Sequence, residues 1–194
     1  LSQGAVVSVS SSGGHNSNSS SALTLQLLSS DLTTADTFTY DIVDQHNASS
    51  TATVTITVTG VNDTPAATDD TGAITEDTIL TVAASGVLTN DTDIDSTSDL
   101  TVSDADTLSV KGAVVTVTAN GGYTYDPTGA DTLQLLNFGD TTADTFTYDI
   151  VDQHIASATA TVTIPVTRNH HTPVASDDTG SITEDTILTV AASG

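Results

Sequence analysis

A short acidic loop holds the residues of this sequence that are best suited to chemistry. It runs from Asn90 to Asp99 and places carboxylates at alternate positions. Its polar side chains are those of Asn90, Asp91, Asp93, Asp95 and Asp99. Alternate carboxylates in an extended turn can converge on one point, and Ca²⁺ takes about six to eight oxygen ligands. We therefore predict calcium binding here, with an ordinary solvated turn as the alternative, because turns favour Asp and Asn.

A second set of acidic residues is distributed around the sequence Asn-Asp-Thr-Pro at residues 62–65. It comprises Asp63, Asp69, Asp70, Glu76 and Asp77. A cation held between two modules needs ligands from the end of one and the start of the next, and this distribution supplies them. The alternative is that these acidic residues face water or cap turns.

The elements that position these residues occur twice in the sequence. Residues 35–86 and 143–194 lie 108 positions apart and agree at 42 of 52 residues without a gap. A period this long indicates tandem domains rather than a solenoid of short units. A boundary at Asn-Asp-Thr-Pro predicts three parts. They are residues 1–62, the C-terminal part of a first module; residues 63–170, a complete module; and residues 171–194, the N-terminal strands of a next module.

Strand patterns fill most of the repeat. Residues 37–43 and 51–59 alternate apolar and polar side chains, which is typical of half-buried strands. Further strands are predicted within residues 65–70, 78–83, 86–88, 100–102 and 108–117. Hairpins are predicted within residues 114–126 and 5–18, and a short helical turn near residues 23–28. About seven to nine short strands in about 100 residues predict an all-β fold of tandem β-sandwich modules.

Pro165 replaces the Thr57 of the first copy in the last of these strands. Proline lacks the amide hydrogen that a ladder requires, so it is confined to edge strands, strand starts or bulges. We therefore predict an edge or bulge position at Pro165.

Charge limits the classes of partner. The chain has 2 basic and 25 acidic residues and a net charge of −23. Phosphate binding needs Lys and Arg to displace counterions, so nucleic acid is excluded as a partner. An anionic membrane would repel the chain, and we expect no membrane insertion. Such a charge is either solvated or partly neutralised by bound cations.

Histidines supply the remaining candidates. His46 and His154 lie beside Asp44 and Asp152 in equivalent turns, but no nucleophile motif surrounds any serine. A Ser-His-Asp hydrolase needs a positioned nucleophile and an oxyanion hole, so we expect no enzyme.

The two junctions between modules differ in sequence. The first junction, residues 60–63, reads Gly-Val-Asn-Asp, and the second junction, residues 168–171, reads Arg-Asn-His-His. The loss of an acidic residue and the gain of an arginine should weaken calcium binding at the second junction. His170 and His171 could hold a transition metal, although adjacent loop histidines are more often bystanders.

Four segments carry a resemblance to a known family. They are Asp36-Thr-Phe-Thr-Tyr40, residues 52–65, Thr75-Glu-Asp-Thr78 and residues 86–95. Together they resemble the VCBS-type, cadherin-like repeats of large bacterial surface proteins and RTX adhesins. The resemblance implies Ig-like, cadherin-like β-sandwich modules of about 100 residues, arranged in tandem, exported to the cell surface and rigidified by calcium. The residues that it implies as calcium ligands are Asp63, Asp69, Asp70, Glu76, Asp77, Asp91, Asp93 and Asp95.

These observations predict a non-enzymatic extracellular structural repeat segment of a bacterial adhesin or surface filament, stiffened by calcium. One alternative is a filament subunit that polymerises when a strand of one chain completes the sheet of another. The other is an adhesion module that binds a glycan or a protein. The expected partners are neighbouring repeats of the same chain, copies of itself, or a surface glycan or protein.

Overall fold

The computed structural model describes residues 4–12, 14–18, 22–95 and 99–190. The described residues are mainly strands, with two four-residue helices and one 3₁₀ helix. They comprise the N-terminal part (residues 4–62), the central sandwich (residues 63–170) and the C-terminal segment (residues 171–190). Residues 191–194, which belong to the predicted C-terminal strands, lie outside the described residues.

The N-terminal part contains two antiparallel strand pairs and a short helix. Its elements are β1 (Val6–Val9), β2 (His15–Asn18), α1 (Leu23–Gln26), β3 (Thr33–Val43) and β4 (Ser49–Thr59). β1 pairs with β2, and β3 pairs with β4 over their full lengths. The hairpin and helical turn predicted for this part are confirmed.

The central sandwich is built from two sheets. Its elements are β5 (Asp70–Thr71), β6 (Ile74–Thr75), β7 (Leu80–Val82), the 3₁₀ helix Gly86–Thr89, β8 (Thr101–Ala105), β9 (Val114–Val117), β10 (Tyr123–Asp126), α2 (Asp131–Gln134), β11 (Thr141–Val151) and β12 (Ser157–Thr167). One sheet has the order β7-β10-β9. The other has the order β5-β12-β11-β8, and β6 also pairs with β12. The predicted all-β, Ig-like sandwich is confirmed.

Alternating side chains of both sheets form one hydrophobic core. Phe146, Tyr148 and Ile150 of β11 enter it from one sheet, and Tyr123 and Tyr125 of β10 enter it from the other. The rings of Tyr123 and Phe146 meet at 5.6 Å in an edge arrangement. Threonines occupy many of the intervening positions of β11 and β12, which suits the outer face of a pleated strand.

Pro165 lies in an interior strand and pairs with Ala143 in a regular register, so the predicted edge or bulge position is wrong. β12 pairs with β11 on one side and with β5 and β6 on the other. On that second side the paired residues are 162–163 and 166–167, and residues 164–165 have no partner. The neighbouring strand is interrupted at Gly72-Ala73, where the missing amide of Pro165 costs no ladder bond.

The predicted strand at residues 86–88 is also wrong, because the chain forms the 3₁₀ helix there. Gly86 has a φ of +50°, and a Cβ on it would lie 2.0 Å from the carbonyl oxygen of Gly121. The amide of Val87 donates to that same oxygen at 3.0 Å. A side chain is therefore excluded at residue 86, and the chain turns toward the β9–β10 hairpin instead of extending.

The C-terminal segment contains no strand within its described residues, 171–190, although its sequence repeats that of β5 to β7. A strand needs a partner strand. The partners of β5 and β6 in the central sandwich are provided by β12, and the partner of β7 is β10. Both are already occupied by the first copy of the sequence.

Candidate functional site

The first half of the candidate site lies where the chain enters the central sandwich. The amide of Asp63 donates to Oδ2 of Asp95 at 2.9 Å, and the amide of Asp95 donates to Oδ1 of Asp93 at 2.8 Å. Asp95 is only 3 % exposed. The acidic loop is therefore tied directly to the first junction, 32 residues away in sequence.

Asn62 and Asp152 extend this half of the site. The side-chain amide of Asn62 donates to Oδ2 of Asp152 at 2.6 Å. The other carboxylate oxygen of Asp152 accepts bonds from the amides of His154 and Ala156. Burial opposes ionisation of Asp152, but the bonds from Asn62 and the two backbone amides outweigh it and lower its pKa. The β11–β12 turn thus presents a stably ionised carboxylate to the junction.

Three oxygens in this half are buried without a hydrogen-bond partner within the described residues. They are Oδ1 of Asn62, Oδ2 of Asp93 and Oδ1 of Asp95. A buried polar atom without a partner costs about 1–3 kcal/mol, and more when the group is charged. Carboxylate and amide oxygens are the ligands that Ca²⁺ prefers. The residues present therefore supply oxygen donors of the kind that a hard cation takes, and such a cation would supply charge neutralisation to Asp93 and Asp95.

The second half of the site surrounds the hydroxyl of Tyr148. That hydroxyl lies 2.9 Å from Oδ2 of Asp70 and 3.3 Å from both carboxylate oxygens of Asp91. Burial, together with these two carboxylates, raises the pKa of Tyr148 well above its ordinary range. The hydroxyl therefore stays protonated and serves as a donor between the two acidic residues.

Burial also raises the pKa of Asp70. The hydrogen bond from the Tyr148 hydroxyl lowers this pKa, and the nearby charge of Asp91 raises it further. Burial likewise raises the pKa of Asp91, against hydrogen bonds from the Thr68 amide and Tyr148. The two partly desolvated carboxylates share one neutral donor, so the negative charge of their ionised forms is poorly compensated. A bound cation would neutralise that charge on both.

Asn90 and Asp69 lie beside this second half. The side-chain amide of Asn90 donates to the carbonyl oxygens of Thr68 and Asp69 at 3.1 and 3.2 Å. The carboxylate of Asp69 accepts a bond from the amide of Thr161 in β12 at 2.9 Å. Asn90 thus fixes the backbone before β5, and Asp69 is directed to the sheet.

The acidic loop therefore divides between two sets of partners. Asp91 joins Asp70 and Tyr148, whereas Asp93 and Asp95 join the first junction. An antiparallel bridge between Ala66 and Thr92 separates the two attachments. Asp99 is exposed, and its amide donates to the side chain of Gln153 at 3.2 Å. The loop ties the start of the module at several points instead of gathering its carboxylates around one.

Glu76 and Asp77 lie at the other end of the central sandwich, beside the second junction. Glu76 is fully buried, and its two carboxylate oxygens accept the amide of Asn169 at 3.0 and 2.9 Å. The Nη1 atom of Arg168 lies 3.3 Å from Oε1 of Glu76. Nε2 of His171 lies 3.3 Å from the same oxygen and contacts Oδ2 of Asp77.

Among the described residues, Glu76, Asp77 and His171 form the one group of three His, Asp or Glu ligand atoms that lie within 4.8 Å of one another. The guanidinium of Arg168 already balances the buried charge of Glu76 there. The two junctions thus differ in chemistry. Among the residues that the structure describes, the first junction has buried oxygens without hydrogen-bond partners, and the second has a protein cation in contact with its buried carboxylate.

Sequence reasoning missed two members of the site, Asp152 and Tyr148. In the sequence, Asp152 is distinguished only as a neighbour of His154. Its equivalent, Asp44, forms the same turn by accepting bonds from His46 and Ala48. No local signal distinguishes these two aspartates, because the distinction is the contact of Asp152 with Asn62, 90 residues away. Tyr148 reads as an ordinary core residue of an alternating strand.

None of the helices in the described ranges is long and apolar enough to cross a membrane.

A family model described as a bacterial cadherin-like domain matches residues 62–168. No curated protein matches the chain. Among solved structures, extracellular cadherin domains 1-4 of protocadherin gamma B7 align with a TM-score of 0.43 at 15 % identity, over 85 % of this chain and 39 % of that one.

Two further protocadherin structures are similar at the same level. Extracellular cadherin domains 1-5 of protocadherin gamma B2 align with a TM-score of 0.43 at 15 % identity, over 88 % of this chain and 32 % of that one. The EC3-6 cis-dimer of protocadherin gammaB7 aligns with a TM-score of 0.40 at 16 % identity, over 85 % and 38 %. The chain thus spans well under half the length of each. On the match over residues 62–168, the chain belongs to the bacterial cadherin-like domain family.

Proposed function

We propose that this chain is a non-enzymatic, extracellular structural repeat segment of a bacterial adhesin or surface filament, and that calcium stiffens its first junction. Residues 63–170 form the complete module in this proposal, residues 1–62 end a preceding module, and residues 171–194 begin a following one. The family is a cadherin-like repeat family, which supports an adhesion-type, repetitive architecture.

The observation that carries the calcium proposal is the set of buried oxygens without partners at the first junction. Asn62, Asp93 and Asp95 each contribute one such oxygen among the described residues. Asp63 and Asp152 are tied to the same set by hydrogen bonds. A cation bound by these residues links the junction, the acidic loop and the β11–β12 turn, so it restricts bending between the N-terminal part and the central sandwich.

Asp70 and Asp91 support a second calcium position beside Tyr148. Their pKa values are raised by burial, which means that their ionised forms are short of compensation without a cation. Extracellular calcium modules have dissociation constants of about 10⁻⁴ to 10⁻³ M. Millimolar calcium outside the cell would therefore occupy both positions.

The test is thermal unfolding together with small-angle scattering, in chelator and in 10 mM calcium. For a site with a dissociation constant of about 0.1 mM, this concentration adds about 2.7 kcal/mol of stability. A domain of this size should then gain about 10–20 °C in Tm. In small-angle scattering, calcium should also narrow the distribution of the maximum dimension of the chain. Equal Tm values and equal scattering in chelator, calcium and magnesium would contradict the proposal.

A filament subunit is the second candidate, and a specific observation favours it. Two apolar side chains on the same face of β3 are exposed, Tyr40 at 39 % and Ile42 at 61 %. Monomeric proteins seldom leave a sheet face of this kind uncovered. Either an earlier part of the first module or a strand of another copy of the chain would cover this face, and the filament candidate is the second case.

Binding of a glycan is less supported by the central sandwich. The aromatic residues that could stack on a sugar are placed in its core, as Tyr123, Tyr125, Phe146 and Tyr148 are buried. Phe138 is exposed but packs edge-on against the ring of His170 at 5.4 Å. A glycan array probed with the chain tests this alternative, and saturable binding of one glycan class would favour it.

A further inference from the structure

The second junction contains a group of candidate metal ligands that the proposed function leaves unused. A ring nitrogen of His171 and one carboxylate oxygen each of Glu76 and Asp77 lie within 4.8 Å of one another. Asp77 and His171 are 94 residues apart in sequence. The fold, and not local spacing, therefore brings the three ligands together.

β6 and β12 place these ligands side by side because the two strands run parallel. Residues 74–75 pair with residues 166–167, so the residues that follow each strand leave the sheet at the same end. The amide of Glu76 donates to the carbonyl oxygen of Thr167 at 3.3 Å and continues the pairing by one step. The acidic pair that follows β6 therefore lies beside the second junction.

The side chain of Glu76 is held in a fixed orientation. It is fully buried, and its two carboxylate oxygens accept the amide of Asn169 at 3.0 and 2.9 Å. Nη1 of Arg168 lies 3.3 Å from Oε1 of the same carboxylate. Hydrogen bonds of this kind orient the ligand side chains of metal sites. Because Asn169 is two residues before His171, the same bonds also help to place the imidazole.

The distances suit a small divalent ion with tetrahedral coordination. Bonds of about 2.0–2.2 Å from Zn²⁺ to nitrogen and oxygen place two tetrahedral ligands about 3.3–3.5 Å apart. Nε2 of His171 lies 3.3 Å from Oε1 of Glu76. Asp77 lies closer to Nε2 than this, but its side chain is 39 % exposed and can rotate outward. The three side chains thus supply one nitrogen and two oxygens, and water can complete the four ligands.

Without a metal, a single hydrogen on Nε2 of His171 lies between two carboxylates. One N–H bond cannot point straight at both Asp77 and Glu76, and a bent hydrogen bond is weak. A metal ion in the place of this hydrogen contacts both carboxylates at once. The two carboxylates and the guanidinium of Arg168 together leave one net negative charge beside the imidazole, which attracts a cation.

Arg168 opposes the metal in one respect. Its Nη2 atom lies 3.5 Å from Nδ1 of His171. An imidazole that binds a metal through Nε2 carries its proton on Nδ1, so the guanidinium has to withdraw from that nitrogen. Little is lost, because 3.5 Å is at the limit of a hydrogen bond. The contacts of Nη1 with Glu76 and Gln134 are independent of this change.

We propose that Glu76, Asp77 and His171 form a binding site for a divalent transition-metal ion of the Zn²⁺ class. Imidazole nitrogen is a good ligand for zinc, copper and nickel ions, whereas Ca²⁺ takes oxygen ligands. The bound ion links the chain after β6 to the chain after β12, and thereby restrains bending at the second junction. The two junctions then respond to different ions, and this inference does not rest on calcium at the first.

The neighbouring histidine supplies a matched control. The ring of His170 packs edge-on against Phe138 at a centroid distance of 5.4 Å. His170 and His171 are adjacent in sequence, so replacing either one removes the same chemical group from the same junction. Only the replacement of His171 removes a proposed ligand.

The experiment titrates the chain with Zn²⁺ against a chromogenic chelator, in millimolar calcium so that sites made of oxygens alone are occupied. One Zn²⁺ per chain is expected. His171→Ala should weaken its affinity at least about tenfold, since even the outer-shell partners of metal ligands contribute about 10–100-fold. His170→Ala should leave the affinity unchanged. Equal losses in the two variants, or no loss in either, would overturn the site.

A second set of measurements separates ligation from a general loss of structure. Zn²⁺ should raise the Tm of the unmodified chain but not that of His171→Ala, and the two chains should have equal Tm values in chelator. Asp77→Asn should weaken Zn²⁺ binding as His171→Ala does, because it removes the second carboxylate. Co²⁺ in place of Zn²⁺ should give a visible absorption band with the unmodified chain that His171→Ala lacks.

The outcomes also separate this site from calcium at the first junction. The calcium-induced gain in Tm should be the same for His171→Ala and the unmodified chain. A Co²⁺ spectrum that is unchanged in His171→Ala would place the metal at other residues and reject this site, while the calcium proposal would stand.

Discussion

The backbone amide of Asp63 donates a hydrogen bond to Oδ2 of Asp95 at 2.9 Å, and thereby connects the first junction to the acidic loop. The other carboxylate oxygen of Asp95 is buried and has no hydrogen-bond partner among the described residues. One oxygen of this side chain thus serves the fold, and the second is available to a cation. The two roles can be separated by substitution.

Asp95→Asn should remove calcium binding at the first junction with little effect on the fold in chelator. The amide oxygen of asparagine can still accept the bond from Asp63, but the charge is lost. We expect the calcium-induced gain in Tm to fall by about half or more, and the apparent dissociation constant to rise at least tenfold. Calorimetric titration and thermal unfolding measure these quantities.

Asp99→Asn is the matched control, because Asp99 belongs to the same loop but is exposed and uses its amide, not its carboxylate, in its bond to Gln153. It removes the same charge. If Asp95→Asn and Asp99→Asn lost the same amount of calcium affinity and of calcium-induced gain in Tm, the net charge of the loop, rather than a site at Asp95, would determine calcium binding.

Asp70→Asn should raise stability at neutral pH in chelator. Burial raises the pKa of Asp70 above its ordinary value of 3.8, so its ionised form is destabilised in the folded state. A group with a raised carboxyl pKa binds its proton more readily when folded, and stability therefore increases as pH falls from neutral through that pKa. The variant should lose this increase, and it should gain less from calcium than the unmodified chain.

Asp152 affects the pH dependence of stability in the opposite direction to Asp70, because its pKa is lowered. Its contribution to stability is present above the unfolded pKa and is lost as pH falls through the folded value. Denaturant midpoints measured from pH 7 to pH 3 should therefore pass through a maximum in chelator. Asp104→Asn, which alters an exposed carboxylate on β8, is the control for general charge repulsion. If the denaturant midpoint of Asp70→Asn varied with pH in the same way as that of Asp104→Asn, the raised pKa assigned to Asp70 would be contradicted.

The fold was predictable where the pattern is local. Thr147 and Thr161 alternate with buried Phe146 and Val162, and such alternation is enough to predict β11 and β12. The exceptions depend on distant partners. Pro165 is tolerated in an interior strand because the opposite strand is interrupted at Gly72-Ala73, and that gap cannot be read from residues near the proline.

The candidate site was predictable in composition but not in grouping. The acidic loop and the first junction were identified as separate candidates, and their connection through Asp63 and Asp95 is a tertiary contact. Glu76 was grouped with the first junction, yet it is buried beside the second. The intervening strands carry the chain from one end of the sandwich to the other between Asp70 and Glu76, and their length could not be inferred from charge spacing.

Self-association should increase with ionic strength. The chain carries a net charge of −23, so two copies repel each other over about 30 Å at 10 mM salt and over about 10 Å at 100 mM. Sedimentation in sodium chloride should show an association constant that rises at least tenfold over this range. At equal ionic strength, calcium chloride should raise the association constant more than sodium chloride does only if bound calcium ions neutralise acidic residues. Association that weakens with salt would indicate an interface held by ion pairs instead.

Arg168→Gln should destabilise the central sandwich. Glu76 is fully buried, and Arg168 provides the guanidinium in contact with it. Removing one partner of a buried ion pair costs about 3–5 kcal/mol, which corresponds to a loss of 10 °C or more in Tm for a domain of about 100 residues. Lys111→Gln removes the only other basic residue of the chain and should change Tm little. Because the variant leaves Glu76 and Asp77 without the guanidinium, millimolar calcium should restore part of its lost stability. If Arg168→Gln and Lys111→Gln were equally stable in chelator, the guanidinium would not be what compensates Glu76 at the second junction.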